Sequence, residues 1–318
     1  MDGKTTPPED GPATPPEPDP LANLPDSISL GSPNDGTLEH AARLPDQARG
    51  LLRNPKSPNP DGQYGTREMV ALLVRAARAV ETDFPGSVLV VNDLSLAGGG
   101  PIYHHGSHQN GRDADVLFFY RHRDSEEVFP SKGIPVEPDG TGWDYGDLTD
   151  AADDIPVRLD VARTWRFAQA LVEDPAVHVQ RIFIVEHVRS MLLEEAQRMN
   201  APGAAIERFA AITCQPSVPH DDHFHVRIFC ASDDIAAGCE DANPIYPWHR
   251  DELATSGHEP VVAPYRRKAK SKKKARHLTV TAKEAEKSAG PMHEDVRAFL
   301  ARRRTWMATP HPGRPYCR

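Results

Sequence analysis

The stretch His220-Asp221-Asp222-His223-Phe224-His225-Val226-Arg227 is the strongest constraint on how this chain folds. Side chains of a strand alternate between its two faces. Read as a strand, residues 223–229 put His223, His225 and Arg227 on one face and Phe224, Val226 and Ile228 on the other. The apolar face can enter a core while two imidazoles project together into a polar site. His220 can reach the same place from the preceding turn.

A second cluster lies far upstream: His104-His105-Gly106-Ser107-His108, with Asp113 and Asp115 behind it. The same alternation applies to residues 114–120, which read as a strand. Asp113, Asp115 and Leu117 share one side, with Val116 and Phe118 opposite. Gly106 and Gly111 would let the loop between the clusters double back and set His108 beside Asp115. Zinc in a hydrolytic site needs three protein ligands from His, Asp or Glu and one open position for water, and the two stretches can supply them. A lone histidine is more often a surface or satisfied core residue. That reading is kept for His104, His105, His122 and His178, least firmly for His105. Asp113, Asp221 and Asp222 read as supporting or solvated charges. Arg227 either binds a carboxylate on the site face or forms an ion pair.

The remaining sequence frames these clusters. Residues 1–27 are acidic and Pro-rich and read as a linker. Residues 66–83 have a helical stripe, with Thr66 as cap and Pro85-Gly86 as stop. Strands are expected at 87–92 and 179–185, and helices at 160–173, 186–199 and 203–212. Residues 121–158 read as a long polar surface excursion. Helices and short strands mix without βαβ alternation, so the expected class is α+β, with a small, largely antiparallel sheet flanked by helices over residues 28–259. Residues 260–318 form a basic extension, with a dense run from Arg266 to Arg276 and one amphipathic helix expected over 281–305. Such a run is either a solvated linker or an attractor of polyanions.

Net charge is −9 and pI about 5.9, which argues against a nucleic-acid binder. No apolar run is long enough to span a membrane. Met1-Asp2-Gly3-Lys4 does not lead into the apolar segment of an export signal, so the protein is expected to be cytosolic or to have lost its signal. The cysteines are Cys214, Cys230, Cys239 and Cys317. None forms a CxxC pair. Cys230 and Cys239 can close a small loop, the alternative being unrelated thiols.

Taken together, these residues carry a resemblance. Gly99-Gly100 followed by His105-Gly106-Ser107-His108-Gln109-Asn110-Gly111-Arg112-Asp113-Ala114-Asp115-Val116 resembles the GG…HxSHQxGxDxD signature of penicillin-insensitive murein endopeptidases. His220 to Arg227 resembles their HxxHxHVR signature. The wider group shares the lysostaphin, D-Ala-D-Ala metallopeptidase and hedgehog fold. Weaker similarity runs from Ser27 to Cys239 and includes Arg181-Ile182-Phe183.

The resemblance implies one zinc ion held by His108, Asp115 and His225. His223 would be the general base, and His220 would polarise the carbonyl and stabilise the oxyanion. His105 and Arg227 would be additional site residues. The implied substrate is the peptidoglycan cross-link, cut between D-Ala and meso-diaminopimelate, which implies a periplasmic or exported protein. A Cys230–Cys239 bridge fits the family's small loop, whereas Cys214 and Cys317 have no counterpart pairing. Some members carry Asp-Gly-x-His for extra metal; Asp139-Gly140-Thr141-Gly142 lacks that histidine. Two rivals remain: a D,D- or L,D-carboxypeptidase on stem peptides, and a non-catalytic zinc module. A purely structural site would not need both His220 and His223.

Overall fold

The structure is a computed structural model and describes residues 21, 23–218, 220–264, 282–308 and 317. Most of the Pro-rich segment and the whole basic run from Arg266 to Arg276 lie outside the described residues. A seven-stranded sheet forms the centre. Its strands in chain order are β1 (Gln47–Ala48), β2 (Leu51–Arg53), β3 (Leu89–Val91), β4 (Asp113–Leu117), β5 (Val179–Phe183), β6 (Thr213–Cys214) and β7 (His223–Ile228). Across the sheet they run β6-β5-β7-β4-β3-β2-β1. Only β5 with β6 and β2 with β3 are parallel; every other neighbouring pair is antiparallel. The expected α+β class is therefore found, in a wider sheet than the sequence suggests.

Helices α1 (Arg67–Asp83), α2 (Val161–Val172), α3 (Glu186–Arg198) and α4 (Gly203–Ile212) follow the apolar stripes. Thr66 caps α1 by accepting from Met69 N–H at 3.2 Å, and Asp160 caps α2 through Arg163 N–H. One face of the sheet packs on this layer. Phe224 of β7 meets Phe118 edge-on, with ring centroids 5.1 Å apart, and lies 5.5 Å from Phe167 of α2. Trp165 of α2 packs edge-on against Phe209 of α4 at 5.3 Å. The core thus consumes Phe224, Val226 and Ile228. Burying them obliges the histidines of β7 to face the other way.

Three expectations change. Residues 121–158 are not a bare excursion. Val128–Phe129, Tyr120–His122, Ile155–Leu159 and Thr141–Asp144 form, in that order, a second sheet. Residues 28–39, for which the sequence pattern gives no strand, form a hairpin of Ile28–Ser32 with Asp35–Glu39. These strands have two to five residues and little alternation, so their stability comes from cross-strand partners rather than from a local pattern. Finally, the single helix expected over 281–305 is two, Ala282–Ala289 and Glu294–Ala308, separated at Gly290-Pro291. Gly290 takes φ +83° and ends the first, a left-handed stop for which glycine is suited.

Between β7 and these C-terminal helices come α5 (Ser232–Ala237) and α6 (Pro247–Thr255), followed by α7 (Ala282–Ala289) and α8 (Glu294–Ala308). α8 lies on the main body: Phe299 and Trp306 join the hydrophobic core. Both disulfides are formed. Cys230–Cys239 is the bridge implied by the resemblance, and Cys214 pairs with Cys317.

α5 carries a buried acid outside the site. Burial pushes the Asp234 carboxyl up to about 7, although the Ser29 backbone N–H opposes this. An unfolded aspartate titrates near 3.9, so between about pH 4 and about pH 7 the folded chain binds the extra proton. Stability should fall as pH rises through that window and level off above it. Asp234→Asn is expected to stabilise the protein at about pH 8, by on the order of 3 kcal/mol, and to change nothing near pH 4. Melting curves at both pH values check this; a difference independent of pH would contradict it.

Candidate active site

The two sequence clusters meet because β4 and β7 are antiparallel neighbours in a register that opposes His225 to Asp115, Arg227 to Asp113 and His223 to Leu117. Residues opposed in this way lie on the same face. Asp115 Oδ1 becomes the meeting point: His108 Nε2 and His225 Nδ1 each lie 3.3 Å from it, and His223 Nε2 lies 3.6 Å away. On the other carboxylate oxygen, Oδ2, His105 Nδ1 approaches to 3.4 Å. The His220 ring is 4.9 Å from that of His223 and 5.3 Å from that of His225.

His108 is fully buried and sits at φ +66°. A non-glycine residue there costs roughly 1–2 kcal/mol. Two contacts hold it in place: His108 N–H donates to Asp113 Oδ2 at 3.0 Å, and Nδ1 donates to the Leu94 carbonyl at 2.5 Å. The carbonyl can only accept, so the proton is on Nδ1 and the Nε2 lone pair faces Asp115. The loop does double back, but not through Gly106. His108 itself and Gly111, at φ +79°, make the turn. A Cβ on Gly111 would stand 2.7 Å from Leu38 Cδ2 and 3.0 Å from the Thr66 backbone nitrogen, and the positive φ would strain any other residue there.

His108 Nε2 and Asp115 Oδ1 are buried and lack any hydrogen-bond partner. Buried polar atoms are normally paired, and an orphaned donor set of imidazole nitrogen and carboxylate oxygen suits a divalent cation such as zinc. Two overlapping groups, His105–His108–Asp115 and His108–Asp113–His225, each bring their donor atoms within 4.8 Å of one another. Asp113 is the weaker donor because its oxygens are already engaged. Arg227 donates to them at 2.6 and 3.0 Å, and His108 N–H donates as well. Arg227 is thereby an ion-pair residue that fixes Asp113, not a free cation for substrate.

Comparison with known proteins gives the family. The penicillin-insensitive murein endopeptidase family matches residues 29–287. The chain belongs to that family. It is 27% identical over 257 residues to the penicillin-insensitive murein endopeptidase of Haemophilus influenzae, covering 74% of this chain and 78% of that one. It is 28% identical over 232 residues to the Pectobacterium atrosepticum protein of the same name, covering 71% and 72%. Family membership makes the chain a peptidase.

Burial and close neighbouring charges together set the protonation of this cluster. Burial opposes a charge on Asp115, but His108, His223 and His105 override it and hold the carboxyl well below the usual range. Asp113 is likewise held far down, by Arg227 and His225. Burial pushes His225 down to about 4 despite both aspartates, which leaves it neutral at pH 7 with a lone pair to offer. His108 is desolvated, yet Asp115 and Asp113 raise it; the field that attracts a proton there would attract a cation equally.

The remaining histidines divide. Asp222 Oδ1 accepts from His223 Nδ1 at 2.5 Å. Against its burial, Asp222 and Asp115 raise His223 to about 9. His220, whose Nδ1 donates to the Val218 carbonyl at 2.9 Å, is pushed down to about 3 by burial and by His223 and His225. His220 is thus a neutral imidazole at pH 7. Asp139 is exposed and caps its own turn through Thr141 N–H at 3.0 Å, away from any ligand role.

Several supporting groups escape a reading of the sequence. Asp93 accepts from His105 Nε2 at 2.9 Å and from Asn59 Nδ2 at 2.8 Å, turning the His105 Nδ1 lone pair towards Asp115. The only local signal is an acid directly after an apolar strand. Phe183 of β5 lies opposite His225, with their rings edge-on at 5.0 Å. Asp221, inside the second motif, is held by Arg303 and Trp306 of α8.

Proposed function

We propose that this protein is a zinc metallopeptidase that hydrolyses peptidoglycan cross-links at the bond between D-Ala and meso-diaminopimelate. The observation that carries the proposal is the approach of His108 Nε2 and His225 Nδ1 to within 3.3 Å of Asp115 Oδ1, with His108 Nε2 and Asp115 Oδ1 buried and unpartnered. His108, Asp115 and His225 would hold the ion, and His105 would be a nearby further donor. When bound, zinc lowers the pKa of its water towards neutrality and polarises the scissile carbonyl.

The chain's own groups supply the rest. Asp222 holds His223 by Nδ1, so Nε2 is the nitrogen that takes the proton from water and returns it to the leaving amine. A cation held by Asp115 would offset one of the three carboxylates that raise His223, the others being Asp222 and Asp221, and so would lower the imidazole's pKa. For His220 to steady an oxyanion, its Nε2 must gain a proton. Burial opposes that until negative charge develops beside it, so the stabilisation is greater in the transition state than in the ground state. The two disulfides suit an oxidising compartment, in keeping with a periplasmic or exported enzyme.

Purified muropeptides test the reaction. Disappearance of cross-linked dimers is the expected result; loss of only a terminal residue would identify a carboxypeptidase instead. His223→Ala is expected to retain metal and lose about 10²–10⁴-fold in turnover. Undiminished turnover would overturn the role given to His223.

A further inference from the structure

We propose that Arg181 forms a carboxylate-binding subsite for the peptide substrate, next to the catalytic centre. The inference rests on the peptidase reading above and names what its site recognises.

Arg181 lies on β5 opposite Arg227, two residues from Phe183, which in turn lies opposite His225. Alternation puts Phe183 and Arg181 on the face that carries the histidines. Residues two apart on a strand are separated by roughly 7 Å, so the Arg181 backbone is about one residue pair beyond the reacting centre. The Arg227 guanidinium packs over the Phe183 ring, 5.2 Å from its centroid, and marks the floor between the two. All three line one cavity of about 810 Å³, with Gln180, Asn34 and Asn243 in its wall.

The two arginines differ in one respect. Arg227 is neutralised by its two hydrogen bonds to Asp113. Arg181 is half-buried, and among the described residues no hydrogen bond or ion pair reaches its guanidinium. A guanidinium partly withdrawn from water with no counter-ion is unfavourable by itself. Burial and the neighbouring Arg227 weigh against its charge and lower its pKa, with only Tyr246 acting the other way. A planar carboxylate is the ligand that restores the balance, through paired N–H donors.

The proposed substrate has such a group in the right place. The carbon bonded to the scissile amide nitrogen also bears a carboxylate, which by bond geometry lies within roughly 4 Å of the scissile carbonyl. Arg181 would therefore read the leaving-group side of the bond.

The test uses the full, metal-loaded protein and two cross-linked peptides that differ only in this group, as carboxylate or carboxamide. The unmodified protein is expected to lose roughly 10- to 100-fold in kcat/KM on amidation, the value of a charged hydrogen bond. Arg181→Gln should lose a similar factor on the carboxylate peptide, mainly through KM, and become indifferent to amidation. Arg181→Lys should recover part of the preference. A full amidation penalty in Arg181→Gln would overturn the subsite. If no cross-linked peptide is cleaved, the peptidase reading fails while the subsite remains testable. Calorimetric binding of the two peptides should then still show a preference for carboxylate in the unmodified protein that Arg181→Gln abolishes, and equal preference in both proteins would sink it.

Discussion

Replacing His108 with alanine is expected to abolish hydrolysis and to remove bound metal from the purified protein. His108 is the donor whose geometry is most completely enforced. It is buried, left-handed at φ +66°, and anchored by Leu94 through one ring nitrogen and by Asp113 through its backbone. Those anchors leave Nε2 a single direction, towards Asp115 Oδ1. Without it, the proposed set falls to two donors and the buried Asp115 loses its strongest opposing charge. Activity should fall by at least about 10³-fold, as expected when a metal-activated nucleophile is lost. His104→Ala is the matched control, because that side chain is exposed and should be neutral. Elemental analysis and muropeptide digestion decide the matter: stoichiometric zinc in His108→Ala would exclude His108 from the ligand set.

What the sequence made legible here was what period-two alternation encodes. The split of β7 into a histidine face and an apolar face was readable because Phe224, Val226 and Ile228 are local to the histidines they orient. The same held for Asp113 and Asp115 on β4. Their mutual register was not readable from spacing, since it is set by strand pairing across more than a hundred residues. Nor was the manner of the turn: a histidine adopting a conformation suited to glycine depends on Leu94 and Asp113 closing around it. Arg227 illustrates the remaining ambiguity. Its face was right, but whether it paired with substrate or with protein depended on Asp113 lying directly opposite. The small second sheet was hidden for a related reason. Strands such as Val128–Phe129 exist only because Tyr120–His122 is beside them.

Replacing Arg303 should weaken both stability and turnover without removing metal. Asp221 is fully buried and sits between His220 and Asp222, the latter holding His223. Arg303 donates to its carboxylate at 2.9 and 2.6 Å, and Trp306 Nε1 adds a third bond at 3.1 Å. The Asp221 carbonyl meanwhile accepts from Val136 N–H at 2.7 Å, so the loop is gripped from two sides. Both side-chain donors come from α8, which lies beyond the segment matched to the family. Arg303→Ala would leave a buried carboxylate with one neutral donor. Removing one partner of such a pair costs roughly 3 kcal/mol or more, and the released loop would no longer position His220 and His223. Zinc content should stay normal because His108, Asp115 and His225 do not depend on α8. Asp221→Asn in the Arg303→Ala background should restore much of the stability by removing the stranded charge, since contacting residues couple strongly. Turnover should recover less, because the amide cannot rebuild the three-bond clamp. Thermal melts of the single and double variants, read beside zinc content and muropeptide turnover, separate these effects. If Arg303→Ala melts and turns over like the unmodified protein, α8 does not brace the catalytic loop.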